Sequence, residues 1–385
     1  MLNSGLLQLS DAHREIQELC RRFAEKEIRP IAAQVDEADH KMSWDLWYKA
    51  SELGLTTFMI PEELGGGGMT DALTSAIVYE ELCYGDAGLG QLITSNGFHT
   101  YPILSLGNEE QKKKYMPRVT GTRPVITAIA ITEPSAGSDA AAMRTSAKKV
   151  DGGYILNGQK AWISNGPNAE WTVVFANVNP GSGFKGITAF IVEKDDPGFS
   201  CGKPMKKMGQ RGMLCGELFF DNVFIPDERR LGEEGSGFRG LMRAFEVSRT
   251  CIAAGSVGIA RAAFDYAREY AKGRSTFGQP IIQHQAIGFR LADMNMRIES
   301  AKLMVRNAAI MLDTVGTARK ESAMAKVMAS ETAMFCAHGA VQTLGGWGYS
   351  REYPVERWMR DAKLDEIGEG TSEILRRELA KDLAR

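Results

Sequence analysis

One acidic side chain near the end of the sequence has a setting that could serve chemistry. Glu369 lies between Gly368 and Gly370 within the segment 364–374. Because neither neighbour carries a Cβ atom, a substrate could approach this carboxylate closely. Taken alone, the segment is more typical of an acidic residue on a surface loop. Glu369 therefore needs support from the rest of the sequence.

Two segments in the middle of the chain carry the next candidates. The segment 132–139 (Thr-Glu-Pro-Ser-Ala-Gly-Ser-Asp) follows an apolar strand and offers hydroxyl groups and small residues. Such a loop can turn backbone N–H groups toward an anion or a flavin edge. The segment 157–166 is predicted to be a strand on which Trp162 and Ser164, two residues apart, lie on one face. Taken separately, the first segment could be a solvated turn, and Trp162 in the second could be an ordinary core residue. The occurrence of both segments in one chain is harder to explain without a function.

A Gly-x-Gly-x-x-Gly pattern at residues 235–240 does not indicate a dinucleotide site. Such a site requires a strand directly before the glycines and a second parallel strand with an acidic residue about 20 positions later. Here the polar loop 226–234 precedes the glycines, and a continuous helix is predicted after them. The glycines are therefore expected to let a loop enter a helix.

The composition excludes several classes of function. The chain has 385 residues, with 46 Lys plus Arg against 48 Asp plus Glu, which gives no electrostatic case for binding nucleic acid. No apolar run approaches the length of a membrane span, and the first residues lack the features of a signal peptide. We therefore expect a cytoplasmic protein with no membrane contact. The cysteines occur singly and the histidines lack zinc-site spacing, so no metal site is predicted.

The periodicity of apolar residues changes twice and divides the chain into three predicted domains. Residues 1–122 are predicted to be helical, with Pro30 restarting the chain after a break. Residues 123–234 have strand-like runs at 125–132, 171–178 and 186–193 and a hairpin turn at 151–153. Residues 235–385 return to helical spacing, and a stripe from Ile287 to Met311 is typical of a buried face in a helix bundle. The expected fold is therefore α+β and multidomain.

Six segments in this order resemble the acyl-CoA dehydrogenase family, and the resemblance covers essentially the whole chain. Any one of them is an ordinary loop or strand, whereas six at matching order and spacing are highly specific. The short- and medium-chain type is the most similar. The segments are Pro61–Gly66, Thr132–Asp139, Lys160–Asn165, Arg274–Gly278, Gln342–Gly346 and Glu369–Ile374.

The resemblance implies an N-terminal helical domain, a middle β-barrel and a C-terminal four-helix bundle, assembled as a homotetramer. It also implies FAD, held between the β domain and the bundle and completed by a neighbouring subunit. The cofactor-binding residues carried over by the resemblance are Ile131, Thr132, Ser138, Trp162, Ile163, Ser164, Arg274, Thr276, Phe277, Gln285, Gln342, Leu344, Gly345, Gly346, Thr371 and Glu373.

The activity implied by the resemblance is FAD-dependent α,β-dehydrogenation of an acyl-CoA thioester to the 2-enoyl-CoA. Glu369 would remove the α-proton while the β-hydrogen leaves as hydride to flavin N5, and the electrons would pass to electron-transfer flavoprotein. A base for so weak an acid needs a pKa raised by a desolvated site. The residues expected to contact acyl-CoA are Ser138, Glu246, Arg249 and Gly370.

One other location for the base and two other functions remain as alternatives. Some family members place the base on the helix near residue 248, but this chain has Ser248 there, with Glu246 as the nearby acid. Flavin monooxygenases or oxidases on the same scaffold generally lack the loop glutamate. A catalytically inactive scaffold would not need Glu369, Arg274 and Trp162 together. The glutamate therefore favours dehydrogenation.

The acyl group is not fixed by the sequence. No basic residue occurs from Tyr84 to His99, which disfavours a dicarboxylic substrate. Many short- and medium-chain relatives have tyrosine before the catalytic glutamate, whereas this chain has Gly368. We predict that this glycine broadens the acyl site toward branched or cyclic acyl groups.

Overall fold

The computed structural model describes residues 9–39 and 41–384, and its elements follow the predicted order of helices, sheet and helices. This order confirms the predicted fold class. In the described part of the chain, no helix is long and apolar enough to cross a membrane.

Seven α-helices form the N-terminal part, as far as the structure describes it. Several of them start at a side-chain cap: Ser10, Asp71, Asp86 and Asn108 each accept a hydrogen bond from a backbone N–H in the first helical turn. The helices are α1 (Asp11–Phe23), α2 (Arg29–Ala38), α3 (Trp44–Glu52), α4 (Ala72–Gly85), α5 (Ala87–His99), α6 (Tyr101–Leu106) and α7 (Glu109–Thr120).

The predicted break before Pro30 is wrong, because a wide helical turn replaces it. Ala24–Ile28 form a π-helical turn that joins α1 directly to α2. A proline lacks the backbone N–H and its ring clashes with the carbonyl group four residues earlier. A π-helical turn changes the hydrogen-bond spacing at that point, so the chain passes Pro30 without leaving the helix.

A mixed sheet forms the middle part. Its hydrogen-bonded order is β6-β7-β3-β2-β4-β5-β8, and β1 pairs in parallel with β4. Asp151 and Gly152 form the predicted hairpin turn between β2 and β3. The strands are β1 (Thr127–Ala130), β2 (Ser146–Val150), β3 (Gly153–Ser164), β4 (Trp171–Asn177), β5 (Ile187–Glu193), β6 (Phe199–Cys201), β7 (Cys215–Pro226) and β8 (Arg230–Leu231).

Strand β4 lies between two hydrophobic cores. Val173 and Phe175 pack in a core shared with helices α6 to α8, whereas Val174 and Ala176 pack in a second core inside the curved sheet. Alternation of side chains along a strand sends successive residues to opposite faces, so a strand that is apolar throughout is buried on both. The sheet is thereby fixed against the helices that complete the site.

Long helices form the C-terminal part, and the glycine-rich segment 235–240 enters the first of them as expected. The stripe predicted on α9 is buried at Leu291, Met294, Ile298, Ala301 and Ala308. The elements are α8 (Gly237–Gly273), a short hairpin of β9 (Ser275–Thr276) and β10 (Gln279–Pro280), α9 (Gln285–Val315), α10 (Arg319–Leu344), α11 (Val355–Asp365) and α12 (Ser372–Leu383).

Helices α4 and α5 lie in the interior and connect the three parts. Helix α4 is buried along nearly its whole length, and it approaches α8 so closely that a Cβ atom on Gly258 would stand 2.2 Å from the carbonyl oxygen of Glu80. Asn96 of α5 donates to the carbonyl oxygen of Val125 at 2.8 Å and accepts from the backbone N–H of Thr127 at 3.1 Å. Helix α5 is therefore bonded to the sheet at the start of β1.

Candidate active site

A cavity lies where α4, α5, α8 and the end of β1 meet the loop between α11 and α12. Its volume is about 150 Å³. It brings together side chains from all three parts of the chain, including Glu369 and the three consecutive residues at 162–164. The residues that line it are Tyr79, Gln91, Ser95, Phe98, His99, Ile129, Ile131, Thr132, Trp162, Ile163, Ser164, Met213, Ser248, Ile252 and Glu369.

The carboxylate of Glu369 is held by one hydrogen bond from α8. The Oγ hydroxyl of Ser248 donates to Oε2 of Glu369 at 2.7 Å. Burial removes water from the carboxylate and raises its pKa, although the Ser248 hydroxyl and the charges of Arg249 and Lys326 oppose that shift. The result is a carboxyl group with a higher proton affinity than an exposed glutamate.

The backbone at Glu369 is held by two buried cations. Glu369 has φ = 54°, in the left-handed region that a residue with a side chain seldom adopts. Arg249 Nε donates to the carbonyl oxygen of Glu369 at 3.3 Å, and Lys326 Nζ donates to that of Gly370 at 2.7 Å. Burial lowers the pKa of Lys326 to about 8, so the ammonium form still predominates at neutral pH. These contacts fix the direction in which the carboxylate leaves the loop.

A buried ion pair holds the loop after β1. Lys160 Nζ donates to the carbonyl oxygen of Ile131 and to Glu133 Oε1, both at 2.9 Å. Glu133 also accepts from the backbone N–H groups of Arg144 and Thr145 at 2.6 and 2.9 Å. Burial acts to raise the pKa of Glu133, but the charge of Lys160 and these bonds outweigh it and lower the pKa. The ion pair therefore fixes Ile131 and the following residue, Thr132, at the cavity wall.

A β-bulge presents the indole of Trp162 to the cavity. The pairing of β3 with β7 shifts register between Lys160 and Ile163, and Trp162 has φ = 59°. Its side chain is 61% exposed although it belongs to a strand in the middle of the sheet. Trp162 and Ser164, which are predicted to share one face, both line the cavity, and Ile163 between them also reaches it because the bulge interrupts the alternation of side chains.

A second cavity of about 630 Å³ lies at the far end of α8. It brings together Arg274 and Thr276 with the loop residues Leu344, Gly345 and Gly346, which are distant in sequence. Nearby, Phe277 has φ = 51° and a side chain that is 96% exposed. Its ring meets the imidazole of His284 edge-on, with 6.0 Å between the ring centroids, and otherwise points toward solvent.

The sequence matches three domain families that together span almost the whole chain. They are the acyl-CoA dehydrogenase N-terminal domain at residues 10–122, the middle domain at 128–223 and the C-terminal domain at 235–384. The chain belongs to the acyl-CoA dehydrogenase family. The predicted family, oxidoreductase class and FAD dependence are thereby confirmed.

Similar proteins from animals and bacteria cover nearly the full length of this acyl-CoA dehydrogenase. The mitochondrial short-chain specific acyl-CoA dehydrogenase of Rattus norvegicus is 42% identical over 381 residues, which cover 98% of this chain and 92% of that protein. Butyryl-CoA dehydrogenase from Megasphaera elsdenii superposes with a TM-score of 0.92 at 40% identity, covering 98% of this chain and 100% of that chain. A chain from a structural study of the electron-transferring flavoprotein of Acidaminococcus fermentans gives a TM-score of 0.94 at 40% identity, covering 98% and 99%.

The first cavity of the acyl-CoA dehydrogenase contains many of the residues that the sequence nominates. Glu369, Ile131, Thr132, Trp162, Ile163 and Ser164 all line it. Ser138 lies on the exposed part of the loop outside the lining, and Thr371 caps α12 by accepting from the N–H of Ile374 at 3.2 Å. Glu373 is exposed in the first turn of α12. Roles for these three residues stay predictions.

The remaining nominated residues lie elsewhere. Gln285 and Gln342 are exposed residues of α9 and α10. The carboxylate of Glu246 accepts from the hydroxyl of Thr317 and the N–H of Ala318, so it bonds to the turn between α9 and α10. Gly368 is likewise absent from the described lining of the cavity, and its effect on the width of the acyl site stays a prediction.

The sequence interpretation missed two functional features. Lys326 has no motif around it, since only the fold brings the middle of α10 to the Glu369 loop. The buried pair of Lys160 and Glu133 was equally unrecognised, although both residues belong to segments with strong family resemblance. The available signal is a lysine directly before the apolar residues 161–163, together with a glutamate in the segment 132–139.

Replacing Lys160 by methionine should destabilise the protein strongly. The change leaves the carboxylate of Glu133 buried without its cation, which costs about 3–5 kcal/mol of unfolding free energy. Lys194→Met is the matched control, because Lys194 pairs with Glu170 on the surface at 3.1 Å and such pairs contribute about 0–1 kcal/mol. Urea unfolding of the three proteins measures both losses. Equal losses would show that the buried pair has no special structural role.

Proposed function

We propose that this acyl-CoA dehydrogenase converts an acyl-CoA thioester to the 2-enoyl-CoA with Glu369 as the base that removes the α-proton. The observation that carries the proposal is the setting of this carboxylate. Its pKa is raised by burial, its Oε2 atom is held by Ser248, and its backbone is held by Arg249 and Lys326. A rigid carboxylate with raised proton affinity is what removal of a weakly acidic C–H proton requires.

The two oxygens of Glu369 have different tasks in this proposal. Oε2 accepts the hydrogen bond from Ser248, which leaves Oε1 to take the proton from the substrate α-carbon. Bound FAD supplies the acceptor for the β-hydrogen, which leaves as hydride. The backbone N–H groups at the Glu369–Gly370 loop are oriented by the two cations behind them. We propose that these N–H groups donate hydrogen bonds to the thioester oxygen, on which negative charge grows as the proton leaves.

The residues of the first cavity fit the ring system of FAD. Trp162 offers a broad apolar face that the bulge in β3 holds out of the sheet. Thr132 and Ser164 offer hydroxyl groups beside it, and the Lys160 contacts keep the loop carrying Ile131 and Thr132 from moving. We propose that the residues contacting the ring system are Ile131, Thr132, Trp162, Ile163 and Ser164. The residues proposed to contact acyl-CoA remain Ser138, Glu246, Arg249 and Gly370.

The spacing of the two cavities supports a cofactor site shared between subunits. Ile252 lines the first cavity and Tyr270 the second, and both belong to α8. At about 1.5 Å per residue, the stretch of α8 between these two residues is about 27 Å long, so the two cavities lie far apart along the helix. The exposed ring of Phe277 stands beside the second cavity. We infer that Arg274, Thr276 and Phe277 act on the FAD of a neighbouring subunit. Gln285 and the segment Gln342–Gly346 at the end of α10 would lie at the same contact.

An exposed apolar stripe on α9 supports assembly into a homotetramer. Phe289, Met296 and Leu303 recur every seven residues, and each side chain is more than half exposed. A seven-residue repeat keeps these side chains along one side of a long helix. Exposed apolar repeats of this kind mark protein contacts, and a second copy of α9 is the partner that the proposal names. We also propose electron-transfer flavoprotein as the electron acceptor and the cytoplasm as the location.

Replacing Glu369 by glutamine should abolish most of the reaction and keep the fold. The amide is nearly isosteric but cannot take up the α-proton, so flavin reduction by butyryl-CoA should slow by about 10²–10⁴-fold. Anaerobic stopped-flow bleaching of the flavin measures this rate. Glu366→Gln is the control, since the Glu366 side chain pairs with Lys363 in the same segment. Wild-type bleaching by Glu369→Gln would assign the base elsewhere.

Replacing Ser248 by alanine should move the pH dependence of flavin reduction to higher pH. The base acts when deprotonated, so the rate rises with pH through the pKa of Glu369. The Ser248 hydrogen bond lowers that pKa, and its loss therefore raises it. A hydrogen bond to a charged group contributes about 1.5–3 kcal/mol, so the rate at low pH should fall about 10- to 100-fold and recover at high pH. Ser248→Thr, which keeps a hydroxyl group, should retain the wild-type pH dependence of flavin reduction.

Introducing a charge into the α9 stripe should prevent full assembly. Met296→Asp places a carboxylate in the proposed contact, where desolvating it opposes association. Met208→Asp is the control, because Met208 is 57% exposed against 59% for Met296 but lies outside the stripe. Light scattering of the purified proteins gives the mass. An unchanged tetramer in Met296→Asp would place the subunit contact on another surface.

A further inference from the structure

One face of α5 gives the substrate cavity a polar wall. Gln91, Ser95 and His99 recur every fourth residue, which places them on one side of the helix. All three are buried and line the cavity. A cavity that accepted only alkyl chains would be expected to present apolar side chains along such a wall. The hydrogen bonds of these three residues therefore indicate which ligand groups the wall can satisfy.

His99 is a neutral ring that presents a hydrogen-bond acceptor. Its Nδ1 atom lies 2.6 Å from the carbonyl oxygen of Thr127, and because a carbonyl oxygen can only accept, Nδ1 carries the proton. Burial lowers the pKa of His99 to about 4, so the ring has no charge at neutral pH. In that tautomer Nε2 is an acceptor, and no hydrogen bond of a described residue uses it. The ring is 4% exposed and borders the cavity.

Gln91 adds a second acceptor. Its amide nitrogen donates to Asp365 Oδ1 at 3.4 Å, which orients the amide and leaves its oxygen for the cavity. The Ser95 hydroxyl donates to the carbonyl oxygen of Leu92 at 2.7 Å and accepts from Asn165 at 2.9 Å, so it has no free donor. Apart from the second N–H of the Gln91 amide, the open polar atoms of these three residues are therefore acceptors, and none of the three carries a positive charge.

We propose that the acyl group accepted by this enzyme carries a hydrogen-bond donor, a hydroxyl or N–H group beyond its β-carbon, and that His99 Nε2 is the acceptor that selects it. Gln91 is the second acceptor on the same wall. The inference rests on the proposed dehydrogenation of an acyl-CoA. An alkyl chain would leave a buried acceptor without a partner, which disfavours it. A terminal carboxylate would bring negative charge against two lone pairs with no cation to balance it.

Matched substrate pairs test the proposal on the FAD-loaded enzyme. 4-Hydroxybutyryl-CoA and valeryl-CoA differ only by a hydroxyl in place of a terminal methyl group, and 5-hydroxyvaleryl-CoA and hexanoyl-CoA repeat the comparison one carbon deeper. For each pair we measure kcat/KM with an artificial electron acceptor. We expect the hydroxylated member to be preferred at least ~10-fold in one pair, because a site built to bond a hydroxyl discriminates against the analogue that lacks it.

Two variants identify the acceptor. His99→Asn keeps an amide N–H near the position of Nδ1 for the carbonyl oxygen of Thr127 but removes Nε2, and Gln91→Met keeps the length of the side chain but removes the amide. We expect His99→Asn to bring the ratio of kcat/KM for the hydroxylated substrate to kcat/KM for the alkyl substrate close to 1, while turnover of the alkyl substrate continues. Gln91→Met should reduce the preference by a smaller factor. Ser95→Ala should leave it unchanged, since the Ser95 hydroxyl is already bonded within the protein.

The outcomes separate this inference from the proposed function. Equal or greater kcat/KM for the alkyl member of both pairs would overturn the inference, as would a hydroxyl preference that survives in His99→Asn and Gln91→Met. In either case the flavin is still reduced and the dehydrogenation stands. If no acyl-CoA, hydroxylated or plain, bleached the flavin, the proposed function itself would be wrong, and the inference with it.

Discussion

The site depends on a glutamate held in a backbone conformation that it would not adopt unaided. The left-handed conformation of Glu369 costs about 1–2 kcal/mol for a residue with a side chain. The cations of Arg249 and Lys326 donate to the two consecutive carbonyl groups of this loop, and hydrogen bonds to charged groups contribute about 1.5–3 kcal/mol each. These bonds therefore offset the strain. The carboxylate points into the cavity because its backbone is fixed from behind.

The same contacts set the electrostatics of the base. Burial raises the pKa of Glu369, while Ser248, Arg249 and Lys326 limit the rise. Ser248 and Arg249 are consecutive residues of α8, so a single turn of that helix holds both the carboxylate and the backbone of Glu369. The position of the Glu369 carboxylate and its proton affinity are consequently set by the same contacts. A change that removed a cation to make the carboxyl more basic would also release the loop that aims it.

The sequence was sufficient for the order of elements and for three of the segments that form the cavity, because both depend on local patterns. Apolar periodicity distinguishes helices from strands, and the segments around Thr132, Trp162 and Glu369 are contiguous. Features that depend on distant pairing were not predictable in this way. The bulge at Trp162 arises from the register of β3 against β7, and Lys326 reaches Gly370 only after α10 packs beside the loop. Neither has a local signal.

Arg249 and Pro30 show two further limits of local reasoning. The family resemblance nominates Arg249 as an acyl-CoA contact, whereas its guanidinium bonds to the Glu369 loop and, at 3.2 Å, to Glu378 of α12. A motif identifies the residue, whereas these contacts with the loop and with α12 depend on the packing of distant elements. Proline commonly ends a helix, yet at Pro30 a π-helical turn keeps the helix continuous.

Helix α5 shows how substrate recognition and domain packing share the same side chains. The three polar residues that it turns toward the cavity are each bonded to a different partner: His99 to β1, Ser95 to Asn165 after β3, and Gln91 to Asp365 in α11. Each bond fixes the orientation of a group at the cavity wall and also joins two parts of the chain. A polar wall can be rigid for this reason, since each of these bonds holds a side chain in place while the Nε2 atom of His99 remains for the ligand. The same arrangement limits how the wall can change, because an apolar replacement would leave a buried partner such as the Asn165 amide or the Asp365 carboxylate without one of its bonds.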